Sequence, residues 1–182
     1  MSAADPPVLH TLGHSTRSTA ELLELLAAAG VRTLADVRRF PASRRHPQLS
    51  RAALEASLGA AGLGYAWLGE SLGGRQPERL PPDRSPNAGW TQPAFRRYAD
   101  AMETPAFRMG LERLEALARA APTALMCAER PWWKCHRRLL ADVLVARGWR
   151  VVHWMEPDRS SDHALTPFAR VEGERVTYPA LL

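Results

Sequence analysis

The sequence has no long hydrophobic run. Its longest candidate, Leu22–Ala29, is interrupted by Glu24, whereas crossing a bilayer takes about 20 apolar residues. A membrane-spanning helix is therefore not expected, nor a membrane partner. The first ten residues, MSAADPPVLH, carry neither a basic nor an apolar leader region, so the sequence predicts no secretory signal and a cytoplasmic location. Cysteine is scarce, with only Cys127 and Cys135. In a reducing compartment the two are expected to remain thiols rather than to form a structural disulfide. Internal repeats and low-complexity tracts are missing too. Lysine is nearly absent: Lys134 is the only one, so the formal charge of +5 is carried by arginine.

What is there fits one globular α/β domain over 1–182. The length of 182 residues and the 46% apolar and 24% charged composition are ordinary for a packed core. Guanidinium forks suit phosphate and carboxylate, which favours an anionic partner. The same excess follows from a compositional bias toward Ala, Pro and Arg, so local clustering has to carry the argument.

Elements alternate along the chain. Val8–Leu12 reads as a strand ending at Gly13. Ser18 and Glu21 then form a capping box, followed by Leu22, Leu25 and Leu26 at helical spacing and Gly30 as a stop. Val31–Val37 is a second strand. Ser50 caps a helix carrying Leu54 and Leu58, and Tyr65–Leu68 is a third strand. Gly69–Pro93 is rich in Gly and Pro and reads as a long loop of the lid or binding kind. Helices are expected around Phe95–Met102, from Thr104-Pro105 through Leu117, and through Leu139–Leu144. Strands are expected at Thr123–Met126 and Val151–Trp154, with a hairpin over Val171–Val176. The pattern predicts a three-layer α/β domain: a mainly parallel sheet flanked by helices, plus the C-terminal hairpin.

In such sheets ligands bind beyond the carboxyl ends of the strands, and three polar segments fall there. His14, Ser15, Thr16 and Arg17 precede a helix N-terminus, where free N–H groups favour an anion. They read equally as helix caps and a solvated arginine. Asp36 can act as a base or pair with Arg38. Arg38, Arg39, Arg44, Arg45 and His46 crowd around Pro41. Cys127 closes an apolar strand, as a small core residue or as a nucleophile. Glu129 follows, as a general acid or base or as an arginine partner. Cys135 and His136 open a helix beside Arg137, where the helix end and the cations favour a thiolate. The spacing fits neither C-x5-R nor C-x-x-C. Cys127, Glu129, Cys135, His136 and His14 are zinc-ligand types, but their spacing matches no standard module. Trp132 and Trp133 can stack on bases or line a half-buried wall.

The motifs GHSTR within TLGHSTRS (Thr11–Ser18), DVRRFP within LADVRRFPASRR (Leu34–Arg45), YAWLGESLGG (Tyr65–Gly74), and CAE…CHR (Cys127–Glu129, Cys135–Arg137) resemble domain of unknown function 488, DUF488, a family of uncharacterised bacterial proteins. The resemblance runs from about His10 to Trp154, leaving 155–182 as a C-terminal extension. It implies an α/β core with a site built from these segments, and no reaction.

The leading expectation is an enzyme acting on a phosphate-bearing substrate, a nucleotide or nucleic acid. Catalytic candidates are Cys127, Glu129, Cys135 and His136. Substrate-binding candidates are His14, Ser15, Thr16, Arg17, Asp36, Arg38, Arg39 and Arg137. No cofactor is assigned. A non-catalytic nucleic-acid-binding module and a metal-stabilised scaffold stand as alternatives.

Overall fold

A computed structural model describes residues 5–180. Five parallel strands, β1 (Val8–Gly13), β2 (Thr33–Asp36), β3 (Gly64–Trp67), β4 (Thr123–Cys127) and β5 (Arg150–Glu156), form one sheet with β6 (Arg159–Asp162), which runs antiparallel to β5. The order is β3-β2-β4-β1-β5-β6. β7 (Arg170–Glu172) and β8 (Arg175–Thr177) make the expected hairpin. The sequence reading missed β6. Its residues are all exposed, so no alternation of apolar and polar positions marks it, and only pairing with β5 defines it.

The helices are α1 (Thr19–Ala28), α2 (Arg51–Ala60), α3 (Gly69–Leu72), α4 (Pro93–Ala101), α5 (Pro105–Ala120) and α6 (Arg137–Ala146). Their starts follow local chemistry. The Ser18 hydroxyl accepts from Glu21 N while Ser18 N donates to the Glu21 carboxylate, closing the capping box. Ser50 and Thr104 cap α2 and α5 in the same sense, with Pro105 at the first position of α5.

Two cores lie on opposite faces of the sheet. One holds Leu22, Leu25 and Leu26 of α1 and Leu54 and Leu58 of α2 against Leu12, Leu34, Ala124 and Met126. The other gathers α4, α5 and α6 over Leu9, Ala35, Leu125 and Cys127. All five residues of β4 are buried, as expected of a central parallel strand. Because successive side chains alternate, Cys127 faces α6, while Asp36 shares the opposite face with Leu34.

The segment 69–93, expected as one long loop of the lid or binding kind, is more structured than that. It begins with α3 and contains a single 3-10 turn at Pro82–Arg84. Tyr98 donates to Leu72 O, Arg96 pairs with Glu78, and Asp100 accepts from Ser85 and Asn87. Side chains of α4 thus tie it down, a long-range effect that no local pattern encodes. Among the described residues no helix is long and apolar enough to cross a membrane.

Candidate active site

The expected convergence rests on strand order: β2, β4 and β1 are neighbours at the centre of the sheet. Their outgoing loops are stitched together by backbone bonds. His14 N donates to Cys127 O at 3.0 Å, Ser15 N to Ala128 O at 2.9 Å, and Val37 N to Met126 O at 3.0 Å. Gly13 makes this approach possible. A Cβ there would sit 1.8 Å from Glu129 O, a backbone atom that cannot swing away. Gly13→Ala is therefore expected to push the 127–130 loop off β1 and to cost ~3 kcal/mol or more. A urea denaturation curve matching the unsubstituted protein would contradict that. Among the described residues Ser15 (48°) and Arg75 (58°) are non-glycine residues with positive φ, and both lie in the loops around this rim. Strain of this kind persists where surrounding structure holds it.

The centre of the site is a pair of thiols. Cys127 Sγ and Cys135 Sγ lie 3.0 Å apart. Arg137 Nε donates to both, at 3.1 and 3.2 Å, and Arg137 N approaches Cys135 Sγ at 3.4 Å. Burial raises the Cys127 thiol well above its ordinary value, and its hydrogen bond to Cys135 raises it further. Burial pushes Cys135 up as well. The bond from Cys127, the Arg137 charge and the two Arg137 N–H groups outweigh it and bring Cys135 down to about 6. Both shifts favour negative charge on Cys135 and the proton on Cys127.

Arg137 is fully buried. Beyond the sulfurs it donates to Glu129 O, to Arg130 O at 3.0 Å and to Thr11 Oγ1 at 3.3 Å. From Thr11 a chain of buried bonds runs on: Thr11 Oγ1 to His153 Nδ1 (2.6 Å), His153 Nε2 to His163 Nδ1 (2.9 Å), and His163 Nε2 to Asp142 Oδ1 (2.8 Å). A carboxylate only accepts, so His163 donates from Nε2; with that proton alone on the ring, its Nδ1 accepts from His153. His153 then accepts from the Thr11 hydroxyl, whose oxygen accepts from Arg137. Tyr178 OH and Thr166 N complete the shell of Asp142, and Trp132 stacks on His153 at 4.2 Å. Burial, then His163 and Arg137, hold His153 down at about 2.

On the other face, Asp36 accepts from Arg38 N, Nε and Nη2 and from Tyr65 OH. Arg38 Nη1 donates to Leu49 O and approaches His14 Nε2. With Nδ1 turned to Ser15 O, His14 is neutral, lowered to about 4 by burial and by Arg38. Asp36 and Arg38 therefore pair with each other. Arg17 is also occupied, donating to Gly13 O at 2.7 Å and Met155 O at 2.5 Å. Thr16 is exposed in the turn before α1.

A cavity of about 420 Å³ opens onto the thiols, lined by both cysteines with Arg38, Arg39, Phe40, Ala42, Gly74, Arg75, Ala128, Glu129 and His136. It brings together Cys127, Glu129, Cys135, His136, Arg38 and Arg39. His14, Ser15, Thr16, Arg17 and Asp36 do not line it. His136 is lowered to about 4 by burial and then by Arg137. Its Nε2 is buried without a hydrogen-bond partner. Among the described residues no group of three or more His, Cys, Asp or Glu side chains is placed to hold a metal ion.

The model of domain of unknown function DUF488 matches residues 18–144. The chain belongs to the DUF488 family. No curated protein and no solved structure matches it. The match takes in the DVRRFP and CAE…CHR motifs and stops short of most of TLGHSTRS. Thr11, His153, His163 and Tyr178, which connect to Arg137 or Asp142, lie outside the matched region of this DUF488 protein. Sequence reasoning missed them and Asp142 too. A histidine at the centre of β5, another just past the end of β6 and a lone tyrosine near the C-terminus carry no local motif, and only the packing of β1, β5 and α6 brings them together.

Proposed function

We propose that this DUF488 protein is an enzyme that takes a small anionic substrate, phosphate-bearing in the first instance, and attacks it with the Cys135 thiolate. One observation carries the reading: a sulfur held between a thiol donor and a buried guanidinium opens onto a cavity with arginines at its rim. The roles follow from which groups are free. Arg137 is consumed by the sulfurs and by carbonyls, so it holds the thiolate rather than the substrate. Arg39, exposed and spending one N–H on Glu70 O, and Arg75, exposed beside Phe40, are left to hold the anion. Glu129, exposed on the cavity wall, and neutral His136 are the groups that move protons. Arg17, Asp36 and Arg38 act by fixing the loops.

The test is peptide-resolved alkylation against pH. Cys135 is expected to react at full rate by pH 7 and Cys127 to lag by at least about tenfold. Inorganic phosphate at millimolar concentration is expected to slow Cys135. Two equally slow thiols, indifferent to phosphate, would remove the reading. A second reading draws on exposed side chains, Arg39, Phe40, Arg44 and Arg45 in one segment and Trp133 in another, cations and aromatics of the kind that hold single-stranded nucleic acid. Oligonucleotide binding that weakens steeply with salt while leaving Cys135 alkylation unchanged would favour a binding module.

A further inference from the structure

We propose that Cys127 and Cys135 are a two-electron redox pair, and that the substrate is a low-molecular-weight disulfide carrying an anionic group. This rests on the anionic-substrate reading of the same cavity and names the chemistry that would use both sulfurs.

A hydrolytic or group-transfer nucleophile needs one sulfur. Here a second is in contact with it at 3.0 Å, and both line the same cavity. The decisive feature is the cation. Arg137 Nε lies 3.1 Å from Cys127 Sγ and 3.2 Å from Cys135 Sγ. Negative charge can therefore pass from one sulfur to the other without the guanidinium moving. Its remaining N–H groups are anchored to Thr11, Glu129 O and Arg130 O, which keeps it midway. A site built around a single thiolate has no need to place a cation equally on a buried neighbour. Both cysteines are free, so the structure is that of the reduced pair.

The reaction balances as two displacements. The Cys135 thiolate attacks one sulfur of R–S–S–R, forming Cys135–S–S–R and expelling R–S⁻. That leaving thiolate takes the proton of Cys127. The new Cys127 thiolate, facing Arg137 as Cys135 did, attacks Cys135 Sγ and expels the second R–S⁻. The dithiol is oxidised to a Cys127–Cys135 disulfide, and R–S–S–R is reduced to one thiol and one thiolate. Arg39 and Arg75 hold the anionic arm of R.

The full reduced chain is mixed with oxidised glutathione, an anionic disulfide, or with cystamine, a cationic one. The reaction is quenched with acid and mapped by mass spectrometry. The expected result is an internal Cys127–Cys135 disulfide, formed at least about tenfold faster with oxidised glutathione. Cys127→Ser is expected to stop at a glutathione adduct on Cys135. The wild-type map decides even if that variant does not fold. Two thiols that stay reduced, or a wild-type chain that stops at the mixed disulfide, would overturn the redox pair. If phosphate still slows Cys135 alkylation in that case, the anion site survives without it. An internal disulfide formed equally fast from both probes would keep the redox pair and overturn the anionic substrate.

Discussion

Replacing Arg137 by methionine should slow Cys135 alkylation at pH 7 by about tenfold or more. The hydrogen bond from Cys127, then the Arg137 charge and its N–H groups, bring Cys135 down to about 6 against burial. Without Arg137, desolvation is opposed only by the hydrogen bond from Cys127, and the thiolate fraction at neutral pH falls. The effect on stability should also be large. Arg137 is fully buried and bonds two sulfurs, a hydroxyl and two carbonyls. Removing one partner of a buried charged network costs about 3–5 kcal/mol. Arg137→Lys keeps the charge but cannot reach both sulfurs and both carbonyls at once, so it should fall between the two. A pH profile of Cys135 alkylation unchanged in Arg137→Met would show that the cation does not set the thiolate.

Asp142→Ala should be comparably destabilising, by about 3–5 kcal/mol, although Asp142 lies at the far end of the chain of bonds from the sulfurs. Its carboxylate accepts from His163 Nε2, Thr166 N and Tyr178 OH, all in buried or half-buried surroundings. Each donor left without a partner costs about 1–3 kcal/mol, less where water enters. The loss should be local in its first effect. Tyr178 also donates from its backbone N to Asn87 and accepts from Gly89 N, so the segments 163–178 and 85–89 should exchange amide hydrogens faster while β1, β2 and β4 stay protected. Cys135 reactivity should drop as well, because Thr11 loses the partner chain that orients it toward Arg137. Urea denaturation and hydrogen exchange measure the first two effects. Exchange that rises evenly over the whole sheet would mean that Asp142 supports the core rather than this network.

The convergence of the three polar segments was legible because strand–helix alternation implies a parallel sheet, and a parallel sheet sends its outgoing loops to one edge. The roles within that edge were not. Arg17, Arg38 and Arg137 look alike as arginines placed next to polar motifs. The first is spent on two backbone carbonyls, the second on Asp36, and the third on the thiols. Arg38 finds its acceptor two positions away, a pairing the sequence offered, but Met155 and Thr11 lie 138 and 126 positions from Arg17 and Arg137. Nor was the pairing of Cys127 and Cys135 legible. Eight positions apart with no motif between them, they meet because β4 ends with Cys127 on the α6 face and the loop returns Cys135 to the start of that helix.

The sequence by itself determined the α/β class, the helix caps at Ser18, Ser50 and Thr104, the family, and the rim on which the polar segments gather. Each of these depends on near-neighbour spacing or on a contiguous motif. Only the tertiary structure decided the edge strand β6, the tethering of 69–93, the thiol pair under Arg137 and the path through Thr11, His153 and His163 to Asp142. Those depend on side chains brought together by strand order and sheet face, and such contacts, from Cys127 and Cys135 eight positions apart to Thr11 and His153 142 apart, leave no periodic trace in the chain.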